Sequence, residues 1–194
     1  MFKITKDFTD IHYGHRVWTQ KLRENLCASG DTQCACRHLH GHSGSASLTV
    51  QAPDLNPQGM VCDFKELGFM KDFLNTYFDH RFVLDVNDPA FSRITGLDKL
   101  MYAKYAVPVV LNDKLLGYEI DPVVKTLLSL DESEFEVLSG FFFVDFIPTS
   151  ENIASYLYEY AKHVLSPYNI QVLCLKWKET EKSKAVYFTD LKQV

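Results

Sequence analysis

From Ser43 to Ala52 the chain alternates without a break. Ala46, Leu48, Val50 and Ala52 share one parity; Ser45, Ser47, Thr49 and Gln51 share the other. Successive side chains of a strand point to opposite faces, so this stretch must be a strand with one face on a core. Carried back unbroken, the same parity places His40 and His42 on the apolar face, at the mouth of a packed interior. Gly41 between them lets the backbone bend. Two imidazoles at i and i+2 can aim at one point, but a catalytic zinc takes three protein ligands and keeps one position open. A third His is available upstream, at His12 or His15. Five of the seven histidines lie between His12 and His42, and Cys27, Cys34 and Cys36 fall in the same region. A core histidine satisfied by a carbonyl explains one of these, not the cluster.

A length of 194 residues with 46% hydrophobic content suffices for one domain with a sizeable core. The net charge of −5 and the lack of a Lys/Arg run argue against general nucleic-acid binding. No apolar run approaches a membrane span, and Met1–Lys6 has no signal-peptide core. Five unevenly spaced cysteines fit reduced thiols better than a disulfide framework. The expected compartment is the cytoplasm.

The remaining elements follow from periodicity. Phe2, Ile4 and Phe8 alternate with polar residues, so the chain opens as a strand. Polar residues from His15 to Asp31 suggest a loop over an opening. Asp63 and Glu66 form a capping box, and Phe64, Leu67, Met70, Leu74 and Tyr77 continue as an amphipathic helix to about Phe78. Asp79-His80 follows. Between Asp85 and Ile147 the pattern weakens: Asp98–Tyr105 and Pro122–Leu130 suit short helices, and Gly140–Val144 a buried strand. Thr149, Ser150 and Glu151 start a second helix running to about Leu165. Gln171–Lys178 and Ala185–Phe188 are strands joined by a polar turn. In the first of these, Leu173, Leu175 and Trp177 share a face, and Glu179 would follow them onto it. A bare buried carboxylate is costly, so Glu179 either turns to solvent or binds something. The order strand, strand, helix, insert, helix, strand, strand implies an α+β fold with an antiparallel sheet.

Six motifs in order resemble the 6-pyruvoyl-tetrahydropterin synthase / 6-carboxy-tetrahydropterin synthase family. They are Gly14-His15-Arg16, Cys36-x-x-x-His40-Gly41-His42, Gly59-Met60-Val61-Cys62-Asp63-Phe64, Asp79-His80, Pro148-Thr149-Ser150-Glu151-Asn152 and Lys178-Glu179-Thr180. The resemblance implies a tunnelling fold (T-fold): a four-stranded antiparallel sheet with two helices on one face, assembled into trimers and then hexamers. One domain would span 1–194, with residues 86–147 as a family-atypical insert. That insert is expected outside the barrel, over the helical face or an intersubunit edge, and dispensable to the metal site. The resemblance further implies zinc on His15, His40 and His42. Cys36, Asp79 and His80 would transfer protons, Glu179 would anchor the pterin, and Thr149 and Ser150 would bind substrate. The substrate would be 7,8-dihydroneopterin triphosphate. The chemistry of these side chains fits such roles: a thiol beside a metal or His⁺ is more acidic, an Asp charges and orients a His, and a carboxylate can accept two N–H bonds from the pterin edge.

The spacing from thiol to His-x-His separates two branches of the resembled family. Cys36 fits Cys-x3-His-x-His, the carboxy-type of queuosine biosynthesis; Cys34 fits Cys-x5-His-x-His, the pyruvoyl type of biopterin biosynthesis. Leu39 before His40 favours Cys36 and the carboxy type, a carbon–carbon lyase releasing acetaldehyde and triphosphate. A third possibility is a non-enzymatic module in which Cys34, Cys36, His40 and His42 close a structural zinc site. Plainer roles also exist: Asp79-His80 can simply end a helix, Asp63 can be only a cap, His38 and His163 can lie at the surface, and Cys62 and Cys174 can be packing residues.

Overall fold

The computed structural model describes residues 1–26 and 34–188. Cys27 and the part of the expected loop from 27 to 31 lie outside the described residues. Eight strands form one sheet: β1 (Phe2–His15), β2 (His40–Ala52), β3 (Arg81–Asp85), β4 (Ala106–Leu111), β5 (Lys114–Ile120), β6 (Phe141–Val144), β7 (Gln171–Lys178) and β8 (Lys184–Phe188). Their order is β4-β5-β6-β3-β1-β2-β7-β8. Two long helices, α1 (Gly68–Tyr77) and α6 (Ser150–Leu165), pack on one face.

The T-fold half is the antiparallel set β1-β2-β7-β8. On β2, Ala46, Leu48 and Val50 are buried against α6 and its neighbours, as the alternation requires. The helices start as their capping residues dictate. Glu66 accepts from the Asp63 amide at 2.8 Å, and Asp63 accepts from the Lys65 amide at 2.7 Å. The first turn, Phe64–Leu67, is a 3-10 turn that leads into α1. At α6, Thr149 accepts from the Asn152 amide at 3.2 Å, and Ile153, Leu157, Ala161 and Leu165 line the buried stripe.

Two irregularities reset the parity. Between Phe8 and Ile11, two residues of β1, Thr9 and Asp10, oppose one of β2, Ser45. The extra residue falls beside Asp10, whose φ is +64°. Phe8 faces the core before this bulge; Ile11, Tyr13 and His15 face it afterwards. A second shift opposite Thr49 and Val50 turns Val172, not Leu173, into the core beside Leu175 and Trp177.

The sheet has eight strands where four were expected, and it is not wholly antiparallel. β3 pairs parallel to β1 through Tyr13 and Gly14, and β6 pairs parallel to β3. Residues 86–147 supply β4, β5 and β6, together with α2 (Phe91–Thr95), α3 (Lys99–Tyr105), α4 (Val123–Leu127) and α5 (Glu132–Ser139). A second apolar cluster, Leu84, Phe91, Leu97, Val124, Leu138 and Phe143 among its members, holds this part together. Val109, Leu116, Phe142 and Val144 instead enter the main core. Deletion of the insert would strip these apolar side chains from the core under α1 and α6. Tyr156 on α6 donates to the Leu116 carbonyl at 2.7 Å, so the β4–β5 hairpin extends the sheet beneath α6. Buried Asp88 pairs with Arg16 (3.0 Å), and Asp85 accepts from the Trp18 indole (2.9 Å). Both tie this region to the segment after His15. No helix among the described residues is long and apolar enough to cross a membrane.

Candidate metal and pterin site

β1 and β2 carry the three imidazoles. His15 stands directly opposite His40, and His42 opposite Tyr13. The bulge at Asp10 directs His15 inward and leaves His12 exposed on the other face. One ring nitrogen from each of His15, His40 and His42 lies within 4.8 Å of the others. The Nδ1 edges are already used: His15 Nδ1 bonds the Pro148 carbonyl (2.6 Å) and His40 Nδ1 the His38 carbonyl (2.8 Å). Each carbonyl fixes the tautomer and leaves Nε2 as the lone-pair donor. All three Nε2 atoms are buried without a well-formed hydrogen bond. Buried polar atoms of native proteins rarely go unpaired, so a missing partner is indicated. Burial, with the neighbouring His15 and His40, lowers the His42 pKa against the opposing pull of Glu179, which favours the neutral ring that metal ligation requires. Three converging imidazoles fit a divalent metal. No sulfur belongs to this group, which removes the Cys2His2 module among the described residues.

Glu179 does not turn to solvent. β7 ends at Lys178, and the next carboxylate places Oε1 3.2 Å from His15 Nε2 and 3.4 Å from His42 Nε2. His15 holds its pKa below the ordinary value, with His42 and the Ser150 hydroxyl adding to this and burial opposing it. Cys34 and Cys36 are not on an extended strand. Cys34 caps a 3-10 turn, Ala35–Arg37, so parity does not relate the two thiols. The Cys36 carbonyl accepts from the Val17 amide (2.8 Å), and Arg37 reaches the Gln20 carbonyl (3.3 Å). Cys36, with Thr149, Ser150, Glu179, Lys21 and Lys184, lines a cavity of about 490 Å³; Cys34 does not. Burial and the adjacent Cys34 push the Cys36 thiol up to about 11. A metal ion or other cation nearby would lower it again.

Asp79 and His80 do pair, Oδ2 to Nδ1 at 2.9 Å. Asp79 also accepts from the His12 amide (2.8 Å), and the His12 carbonyl accepts from the His80 amide (2.6 Å). Against the opposing effect of burial, these contacts hold Asp79 below its ordinary pKa. His80 is 78% exposed and left-handed at φ +57°. It borders a different cavity, of about 870 Å³, shared with His40, His42 and the insert residues Ile94, Val137 and Phe141. Within one chain, therefore, Cys36 and His80 do not line the same space.

The sequence profile of the 6-pyruvoyl tetrahydropterin synthase family matches residues 3–190. The chain belongs to that family. It is accordingly an enzyme of the lyase class. A curated relative from Aquifex aeolicus, named 6-carboxy-5,6,7,8-tetrahydropterin synthase, is 28% identical over 193 residues, covering 96% of this chain and 97% of the relative. An uncharacterized protein from Wolinella succinogenes is similar in structure, with a TM-score of 0.83 and 33% identity over 97% of this chain and 98% of that one. The 6-pyruvoyl tetrahydropterin synthase from Plasmodium vivax, at 14% identity and a TM-score of 0.51 over 98% of this chain and 100% of that one, shares the fold.

Sequence reasoning on this family member missed the carbonyls of Pro148 and His38, which orient the ligands, and Lys21, Ser183 and Lys184 around the cavity. Pro148 was visible as the residue before a capped helix, but its carbonyl has no side-chain signature. The cavity residues belong to loops, where periodicity carries no signal.

Proposed function

We propose that the protein converts 7,8-dihydroneopterin triphosphate and water to 6-carboxy-5,6,7,8-tetrahydropterin, releasing acetaldehyde and triphosphate, in queuosine (7-deazaguanine) biosynthesis in the cytoplasm. The observation that carries this reading is that Cys36, four residues before His40, lines the Glu179 cavity, while Cys34 does not. The name of the Aquifex aeolicus relative supports it. His15, His40 and His42 would hold zinc, which supplies Lewis-acid polarisation of the substrate's side-chain hydroxyls. Cys36 would accept the proton from the adjacent carbon. Glu179 would accept N–H bonds from the pterin edge, with the Thr149 and Ser150 hydroxyls beside it. Asp79 would orient His80 as a proton relay. Because His80 and Cys36 line different cavities, a second copy of the chain would bring His80 to the substrate, in keeping with a homo-hexamer built from trimers. The 86–147 insert would serve this single T-fold domain and not form a second one.

The test is incubation with 7,8-dihydroneopterin triphosphate, mass analysis of the pterin and a dehydrogenase assay for acetaldehyde. Cys36→Ala should lose about a hundred- to ten-thousand-fold in rate while metal stays bound; Cys34→Ala should change little. A dead Cys34→Ala variant and a product that keeps its three-carbon side chain would instead establish the pyruvoyl activity.

A further inference from the structure

The face of the sheet turned away from α1 and α6 carries a second polar cavity, of about 450 Å³. Its floor follows from the register. Ser45 stands opposite Lys178, and Ser47 opposite Lys176, across β2 and β7. Lys178 in turn stands opposite Lys184 across β7 and β8. Like charges directly opposite destabilise a ladder, so anionic charge is favourable here. The turn between the two strands adds Lys182. Of the two carboxylates lining the cavity, Asp7 and Glu181, the latter is taken up by Lys178 at 2.9 Å. Among the described residues, no carboxylate pairs with Lys176, Lys182 or Lys184. This positive cavity lies in a chain of net charge −5, so the cations are gathered there locally. The volume lies in the range of small-molecule sites. The cavity also shares Ser183 and Lys184 with the Glu179 cavity, so only the β7–β8 turn separates the two.

The geometry points to a polyphosphate site in this lysine cavity. Resting on the function proposed above, the occupant is the triphosphate of the pterin substrate or the triphosphate freed from it. Three unpaired ammonium groups and the serine hydroxyls of β2 match a linear anion with many oxygens. Lys184 and Ser183 lie where such a chain would pass from one cavity to the other.

Inorganic tripolyphosphate is the probe, titrated calorimetrically into the full-length, metal-loaded enzyme. Saturable binding that weakens as salt rises to about 0.15 M is expected. Lys176→Gln combined with Lys182→Gln should weaken it about tenfold or more, whereas Lys176→Arg should retain it. Metal content should not change in any of these variants, since the triad faces the opposite side. Tripolyphosphate should also raise the KM for pterin triphosphate without affecting binding of unphosphorylated 7,8-dihydroneopterin. The site is overturned by an absence of saturable binding at 0.15 M salt, or by binding that the double variant leaves intact. The two proposals fail separately. Lysine-dependent tripolyphosphate binding in an enzyme that does not turn over the pterin would keep the site and overturn the function. Turnover with no tripolyphosphate binding would do the reverse.

Discussion

At position 15 the choice of ligand is made by the backbone five residues earlier. His12 and His15 differ by three positions and so lie on opposite faces of β1; the bulge at Asp10 decides which face is inward. His15→Ala should therefore lose bound metal, measured by elemental analysis of the purified protein, and His12→Ala should retain it. Asp79 makes a second residue-scale prediction, in pH. Its folded pKa lies below the ordinary 3.8 because the His12 amide and His80 outweigh burial. Such a group stabilises above its unfolded pKa, and that contribution is lost as pH falls through the folded value. Asp79→Asn should lower Tm at pH 7, and the gap to the wild type should close as pH drops below about 4.

β1 is the element on which site and fold depend together. A β-branched residue with positive φ is strained, so Asp10→Val should cost about 1–2 kcal/mol in chemical denaturation, and Asp10→Gly should be tolerated. Deletion of Asp10 is a sharper test. Without the extra residue the strand alternates regularly from Phe8, which keeps Ile11, Tyr13 and His15 on the core face, so elemental analysis should find metal binding retained after the deletion. β7 shows the same dependence from the other side: it stops at Lys178, which leaves Glu179 free to bend toward the imidazoles.

On the scale of the whole molecule, the insert and the T-fold half share a core and an ion pair. Removing Asp88 leaves Arg16, itself only 17% exposed at its side chain, without its counter-charge. Breaking one partner of a buried pair costs about 3 kcal/mol or more. Asp88→Ala should therefore lower unfolding stability by that order, in a transition that also releases the metal, because Arg16 adjoins His15.

Much of this was legible in the residues themselves. Alternation in β2 and the capping residues of α6 are local properties, and they placed His40, His42, Thr149 and Ser150 without knowledge of the rest of the chain. The pair Asn112-Asp113, both at positive φ, also marks a two-residue hairpin turn between β4 and β5. Its sequence is a recognisable turn signal, but the expected pattern of short helices passed over it. The tertiary structure alone decided the rest. A bulge is one residue of surplus between two strands and has no meaning until they pair. The parallel joining of β1, β3 and β6 unites segments far apart in sequence. The separation of Cys36 from His80 depends on which face of the completed sheet each one reaches. Local sequence sets propensity and parity; relations between distant segments exist only once the packing that creates them has formed.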